Sequence, residues 1–398
     1  MTQLLLTLSS GLESDLHNRL AIANAGPFKM LVTQLRSESA RVKQLAVALM
    51  AKLSGDSEEN VSEIAKFAGI KPLVALLASE DDETQCHAAV VLADITRVSQ
   101  QYAASVAHEG GIPLLVALLE TSSTLDAKTE AAGALSSLST GHAREVGEAG
   151  AIVHLVGLLR EDSLQAQLKA ASAIVGVAAG GLANQDGVKA AGGIELLVKL
   201  LARQEPCNEL AEKVHAQAAL ALAGLANGSP TNQTAVAACG GIELLVALLS
   251  ESEREAPKEE AAGALWSIAV SHHENQEAVY EAGGVKSLVA YIGVGSEVRG
   301  GSNPHPLTDH PHLSPITHNH THTHTLDPRP STLALTLTLI LTLILTLTSH
   351  PHPHPHPHAS TLNLSPLTSH LSPLTSHLSP LTLSLTLTLT LSLTLTLP

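Results

Sequence analysis

The sequence predicts an all-α solenoid of stacked helical repeats followed by a low-complexity tail, and three observations carry that prediction. A short phrase, seen most fully as Ala191-Gly192-Gly193-Ile194, recurs along the first three-quarters of the 398 residues. Its other copies are Ala25-Gly26-Pro27-Phe28, Ala68-Gly69-Ile70, Gly110-Gly111-Ile112, Ala149-Gly150-Ala151-Ile152, Cys239-Gly240-Gly241-Ile242 and Ala282-Gly283-Gly284-Val285. The aligned apolar residues Phe28, Ile70, Ile112, Ile152, Ile194, Ile242 and Val285 lie 42, 42, 40, 42, 48 and 43 residues apart. Each copy runs into a Leu-Val-x-Leu-Leu-like segment with apolar side chains at helical spacing. A fixed period in the low forties is the mark of helical repeats that bury their apolar faces on one another.

The unit Gln101–Thr140 shows the grammar most clearly. Gln101 to His108 forms a short helix, ended by Gly110-Gly111, where glycine can take the left-handed conformation that satisfies the last carbonyls. Ile112-Pro113 starts a second helix, with proline early, where its missing N–H costs nothing. Leu114, Leu115, Leu118 and Leu119 give it a buried stripe. Thr121-Ser122-Ser123 breaks it, and Ala127 to Ser139 forms a third helix rich in small residues that let neighbouring helices approach closely. The units Ser14–Ser54, Asn60–Ser99, His142–Gly180, Asn184–Asn227 and Asn232–Ser271 follow the same order and complete six full repeats, with partial repeats at both ends. Asn60, Asn184, Asn232 and Asn275 stand where first helices begin, which suits N-caps. The fifth unit is lengthened by Arg203-Gln204-Glu205-Pro206-Cys207-Asn208, an insertion expected on a surface loop.

These residues resemble the armadillo repeat family. The resemblance rests on the Ala-Gly-Gly-Ile phrase, the Leu-Val-x-Leu-Leu helix, and third helices such as Ala261-Ala262-Gly263-Ala264-Leu265-Trp266-Ser267-Ile268-Ala269, and it spans roughly residues 4–293. It implies a right-handed armadillo-type α-solenoid, and the chain resembles vacuole-type and plant or algal adaptor proteins of this family. The family also includes nuclear import receptors, adhesion and signalling adaptors, and the substrate-binding arms of ubiquitin ligases. In such proteins successive third helices line a groove that holds an extended peptide or a partner domain.

That resemblance places the candidate partner-binding groove on three aligned rows. One row holds Lys52, Asp94, Ser137, Gly176, Gly224 and Ser267. Four residues earlier stand Ala48, Val90, Gly133, Ser172, Leu220 and Gly263. Three residues before those lie His87, Glu130, Lys169, Gln217 and Glu260, on the same helical face. Import receptors carry asparagine in the first row and tryptophan in the second, and neither ladder is present here. Trp266 lies next to Ser267, off the import-type position. The expected surface is mixed, mostly small and mildly acidic, with solvated side chains as the competing explanation.

Charge supports that reading of the partner. Residues 1–297 hold 20 Lys and Arg against 35 Asp and Glu, while residues 298–398 add only Arg299, Arg329, Asp309 and Asp327, so the whole net charge of −15 sits in the first part. Nucleic acid is not the expected partner, because phosphate binding draws on clustered Lys and Arg, and a chain with two Phe, three Tyr and one Trp offers few stacking surfaces. A protein or peptide partner is expected, and a basic one fits the charge. Cys86, Cys207 and Cys239 read as buried free thiols of a reducing compartment, and a cytoplasmic or nuclear location follows.

No motif for catalysis, phosphate binding or metal ligation is present. The chain is expected not to be an enzyme and to need no cofactor, no metal and no small-molecule substrate. His272-His273-Glu274 reads as a solvated turn between repeats. The expectation is a non-catalytic scaffold. The alternative is the recognition arm of a ubiquitin ligase, or a membrane-associated adaptor whose other domains lie elsewhere; the start Met1-Thr2-Gln3 lacks the glycine that myristoylation requires.

Two domains are expected: residues 1–297 as the solenoid and residues 298–398 as a His/Pro/Leu/Thr-rich tail. The solenoid's ends look incomplete. Leu5 to Gly11 reads like the end of a third helix, and no third helix follows Ile292, so a fragment of a longer array is expected. In the tail, Ser365–Leu371 repeats residue for residue at Ser372–Leu378, as a translated simple-sequence tract would. Its histidines, among them His318, His320, His322 and His324, lack the surroundings of a metal site. The Leu-Thr alternation at 332–348 fits a strand of period two better than a membrane span.

Overall fold

A computed structural model describes residues 26–55, 58–202 and 208–291, all of it helix and short connection, with no strand among the described residues. The expectations for Leu5–Gly11, for Arg203–Cys207 and for the tail from 298 onward lie outside the described residues. Contacts divide the chain into Met1–Ala282 and Gly283–Pro398. Of the second unit, only the left-handed Gly283 and a helix from Gly284 to Tyr291 are described.

Within the first unit the helices fall into the predicted order. Repeat 1 contributes α1 (Phe28–Gln34) and α2 (Ala40–Ser54). Repeat 2 has α3 (Glu58–Lys66), α4 (Ile70–Leu76) and α5 (Asp82–Val98). Repeat 3 has α6 (Gln100–His108), α7 (Gly111–Thr121) and the first part of α8 (Leu125–Glu148). The rest of α8 joins α9 (Ala151–Leu158) and α10 (Leu164–Ala178) as repeat 4. Repeat 5 is α11 (Leu182–Ala190), α12 (Gly193–Leu200) and α13 (Glu209–Ala226). Repeat 6 is α14 (Pro230–Ala238), α15 (Gly241–Glu251) and α16 (Glu255–Ala269), and α17 (His273–Glu281) opens a seventh.

The recurring phrase is the corner between first and second helices. Gly110 sits at φ 80°, and α6 and α7 meet there at 78°. Its neighbour Gly111 has a different task. A Cβ on Gly111 would stand 2.8 Å from the carbonyl oxygen of Val106, so the second glycine lets the two helices touch. Repeat 2 departs from the pattern, since Ala68 occupies the left-handed corner at φ 59°. An L-residue with a Cβ pays about 1–2 kcal/mol there, against about 0.5–1 kcal/mol of extra chain entropy lost by glycine. Ala68 is exposed, so no packing offsets the strain. Ala68→Gly is expected to stabilise the chain by about 0.5–1 kcal/mol, read as a rise in Tm of about 2 °C; an unchanged or lower Tm would contradict the strain.

Third helices form one continuous layer, each packing chiefly on the third helices of the repeats before and after it. Small residues make this possible: Ala132, Ala134, Ala171, Ala173, Ala218 and Ala221 are all fully buried. Larger side chains such as Leu135, Ile174, Leu222 and Leu265 fill the layer's core. Side chains fix where these helices start. Asp81, Thr124, Ser163 and Asn208 each accept a backbone N–H three residues on, satisfying donors the helix leaves open.

Two sequence expectations are corrected. Asn60, Asn184, Asn232 and Asn275 are not N-caps; each lies inside its helix and donates its amide to the carbonyl seven residues earlier. The acceptors are Leu53 (2.9 Å), Val177 (2.9 Å), Leu225 (2.9 Å) and Ile268 (3.0 Å), so each asparagine ties a first helix to the end of the preceding third helix. The same register places Tyr102 in repeat 3 and His142 in repeat 4. At His142 the expected break is present as a kink: the backbone leaves helical geometry there (φ −130°, ψ 27°), separating the third helix of repeat 3 from the first helix of repeat 4 within the span Leu125–Glu148. Finally, Cys239 is exposed and Cys86 half-buried, so the thiols are not uniformly buried; Cys207 lies outside the described residues.

Candidate partner-binding face

The three predicted rows fall one above the other on the third helices, at i, i+3 and i+7, so each helix shows one stripe to the same side. On α5 the stripe is His87, Val90 and Asp94, and on α8 it is Glu130, Gly133 and Ser137. On α10 it is Lys169, Ser172 and Gly176, on α13 Gln217, Leu220 and Gly224, and on α16 Glu260, Gly263 and Ser267. In repeat 1, Ala48 and Lys52 of α2 occupy the two later rows. Most of these residues are half-buried, while Ala48, Gly133 and Ser267 are buried.

Neighbouring stripes are joined side to side. Ser54 of α2 donates to the Asp94 carboxylate at 2.7 Å, and Arg97 donates to the same carboxylate at 3.1 Å. Ser172 of α10 donates to the Gln217 side-chain carbonyl on α13 at 3.1 Å. Lys169 lies across Gly133, its Nζ 3.2 Å from where a Cβ on that glycine would stand. Gly176 serves packing more than display: a Cβ there would approach Ser139 Cβ of α8 to 2.5 Å. The face is a continuous layer, and the residues open to a partner are the charged and amide side chains.

Burial sets the electrostatics of the middle repeats. It pushes the Glu130 carboxyl above its ordinary value; Lys169 opposes that shift, and Asp94 and Asp126 add to it. Burial likewise holds the His87 imidazole below its usual value, with Lys52 adding to the shift and Glu83 and Asp81 opposing it. Its Nδ1 is enclosed without a hydrogen-bond partner. The Cys86 thiol is pushed up to about 11, chiefly by burial and then by Glu130, Asp126 and Glu83, which makes it a poor nucleophile. Among the described residues, no group of three or more His, Cys, Asp or Glu is placed to hold a metal.

Glu130 therefore carries a measurable signature. With its folded value raised above the unfolded one, its charged form opposes folding at neutral pH, and protonation removes that cost as pH falls through the raised value. Glu130→Gln is expected to raise Tm by about 2 °C at pH 7, the size of roughly a 1 kcal/mol gain in a domain of this length. The advantage should shrink as pH falls toward the ordinary carboxylate value of 4.5. Melts at pH 7 and pH 4 that show the same difference would contradict the desolvation.

Two features escaped sequence reasoning. Extending the alignment one turn toward the N-terminus adds a fourth row, Arg41, Glu83, Asp126, Gln165, Lys213 and Ala256, every member of which is exposed. The four-residue spacing was available in the sequence; the exposure was not. His272, expected in a solvated turn, caps α17. Its Nδ1 accepts the Asn275 N–H at 3.4 Å and its Nε2 pairs with the Thr234 hydroxyl at 3.0 Å, and only 12% of the side chain is exposed.

The fold and these stripes define a helical-repeat solenoid with one layer of third helices presented along it. Residues 57–97, 99–140 and 229–270 match the armadillo/beta-catenin-like repeat. The chain is therefore an α-solenoid whose repeating unit is the armadillo repeat. Repeats 1, 4 and 5 fall outside the matched segments yet, in their described residues, follow the same helix order. No curated protein matches the chain in sequence. Among solved structures, an engineered protein is 28% identical over 87% of this chain and 77% of its own, with a TM-score of 0.66. A second engineered protein is 31% identical, covers 62% of this chain and 97% of its own, and gives a TM-score of 0.55. A designed armadillo repeat protein in complex with the peptide (KR)4 shares the fold at 24% identity, over 61% of this chain and 99% of its own, with a TM-score of 0.52.

Proposed function

We propose that the chain is a non-catalytic scaffold that holds a protein or peptide partner along the stripes of its third helices. The observation that carries this reading is the stack of half-exposed stripes on α5, α8, α10, α13 and α16, fixed laterally by the contacts of Asp94, Lys169 and Ser172. A face ordered before binding leaves most of the ordering cost to the partner, which favours an extended segment. That a designed protein of this fold is complexed with (KR)4 supports a peptide as occupant. Desolvated Glu130, with Asp94, Asp126 and Glu260 on the same face, favours a basic one. Membership among vacuole-type or plant and algal adaptors, and a place in the cytoplasm or nucleus, are parts of the same proposal and rest on the sequence alone.

The test is binding of a lysine-rich peptide to the full chain by fluorescence anisotropy, with Glu130→Lys and Glu260→Lys singly and together. The double variant is expected to weaken binding about tenfold, a loss of about 1.4 kcal/mol. Binding that ignores both positions would remove the face from consideration.

A further inference from the structure

Repeat 1 carries the opposite charge to the rest of the solenoid. Between Gly26 and Gly55 stand Lys29, Arg36, Arg41, Lys43 and Lys52 against Glu38 alone, in a chain whose net charge is −15. Two of these side chains meet at a defined place. A cleft of about 390 Å³ opens between the start of α2 and the end of α4, lined among others by Arg41, Lys43, Gln44, Ser79, Asp81 and Thr84. The Asp81 carboxylate is already engaged, accepting the Thr84 N–H at 2.9 Å as the cap of α5. Gln44 is also engaged, taking an Arg41 N–H at 2.6 Å and donating to Glu83 at 3.0 Å. Among the described residues, neither Arg41 nor Lys43 is paired with a carboxylate. Ser39, which precedes α2, makes no side-chain cap, unlike the residues before α5, α8, α10 and α13.

Arg41 belongs to the exposed fourth row of the partner-binding face, so this cleft lies in line with the stripes. Reading along that face, repeat 1 shows Arg41 and Lys52, repeat 2 shows Glu83 and Asp94, and repeat 3 shows Asp126 and Glu130. The sign of the charge reverses between the first repeat and the second.

We infer that the partner segment held along this face carries an acidic stretch, seated in the cleft against Arg41 and Lys43, directly beside the basic stretch that faces repeats 2 and 3. This rests on the proposed scaffold function and specifies the chemistry of its partner. Packed helices stand about 8–10 Å apart and an extended chain advances about 3.3 Å per residue, so the two stretches are separated by about 3–6 residues. Single exposed ion pairs contribute little. Their arrangement matters more, because like charges brought together by a wrongly placed or uniform peptide are repelled.

The probes are two peptides of equal length: four glutamates, a short glycine-serine spacer and four lysines, and the same peptide with serines in place of the glutamates. Against the full chain at low salt, the glutamate-lysine peptide is expected to bind at least fivefold tighter than the serine-lysine peptide. Arg41→Gln with Lys43→Gln, one an exposed and one a half-buried position, is expected to abolish that gain while leaving the serine-lysine peptide within twofold. Equal affinity of the two peptides for the native chain, or a gain that survives the double substitution, overturns the inference. If lysines bind through Glu130 and Glu260 while glutamates add nothing, the acidic stretch is wrong and the scaffold reading stands. If neither peptide binds, both fall.

Discussion

Asn184→Ala is expected to cost the solenoid about 2–4 kcal/mol, among the largest losses available from a single polar side chain here. The amide of Asn184 donates to the Val177 carbonyl at 2.9 Å and to the Ala143 carbonyl at 3.0 Å, and the residue is 6% exposed. Those acceptors end α10 and open the kinked second part of α8, so one side chain joins three helices from two repeats. Removing it leaves buried carbonyls short of a partner, at about 1–3 kcal/mol each when unsatisfied, and opens a void. The space is made for it: a Cβ on Gly147 would fall 2.1 Å from the Asn184 side-chain oxygen, and one on Gly180 2.3 Å from its nitrogen. No flexible neighbour stands ready to fill the gap. Asn184→Asp separates hydrogen bonding from packing. It keeps the volume but turns an oxygen toward two carbonyl oxygens, so at pH 7 it should cost at least as much as alanine. It should recover partly as acidification restores a donor. Urea unfolding of the full chain at pH 7 and pH 4 reads both effects. Loss of under 1 kcal/mol in the alanine variant would mean that the bridge is incidental.

The asparagines mark where sequence reasoning met its limit. The period and the Gly-Gly corners were legible because they are local: φ at Gly110 and the stripe of Leu114 to Leu119 follow from neighbours in the chain. Asn184, by contrast, was placed correctly at the start of a first helix and assigned the wrong partner. A cap bonds forward, to a backbone N–H of its own helix. This amide bonds backward, to helix ends that only the stacked repeats bring within reach. The candidate rows share one face of the third helices by register, but register does not tell a packing glycine such as Gly176 from a half-buried Lys169. Nor could it show the cleft beside Arg41, whose walls come from α2 and α4 and lie more than thirty residues apart in sequence.

The corner glycines allow the second large prediction. Gly241→Ala is expected to cost about 2–3 kcal/mol, the range of overpacking in a well-filled interior, even though its backbone conformation suits any residue. A Cβ there would stand 2.6 Å from Val236 Cγ1, 2.9 Å from the Val236 carbonyl oxygen and 3.2 Å from Val198 Cγ2 of the preceding repeat. The Val236 methyl can turn away, but the carbonyl belongs to α14 and cannot. That helix is held in place by Asn232, bonded to Leu225, and by Gln233, bonded to Ser267 at 2.9 Å and Val270 at 3.2 Å. Repeat 4 provides the natural comparison, for it carries a fully buried Ala151 at the equivalent position. Its first helix has His142 where repeat 6 has Asn232, so it lacks the anchor that would fix its distance from the second helix. The cost of the extra methyl should therefore depend on the anchor. In the double variant Gly241→Ala with Asn232→His, the two losses should sum to less than their separate values, because releasing α14 lets it move away from the new Cβ. A double-mutant cycle by chemical denaturation measures this coupling. Strict additivity would show that repeat 4 accommodates Ala151 by some means other than its missing asparagine.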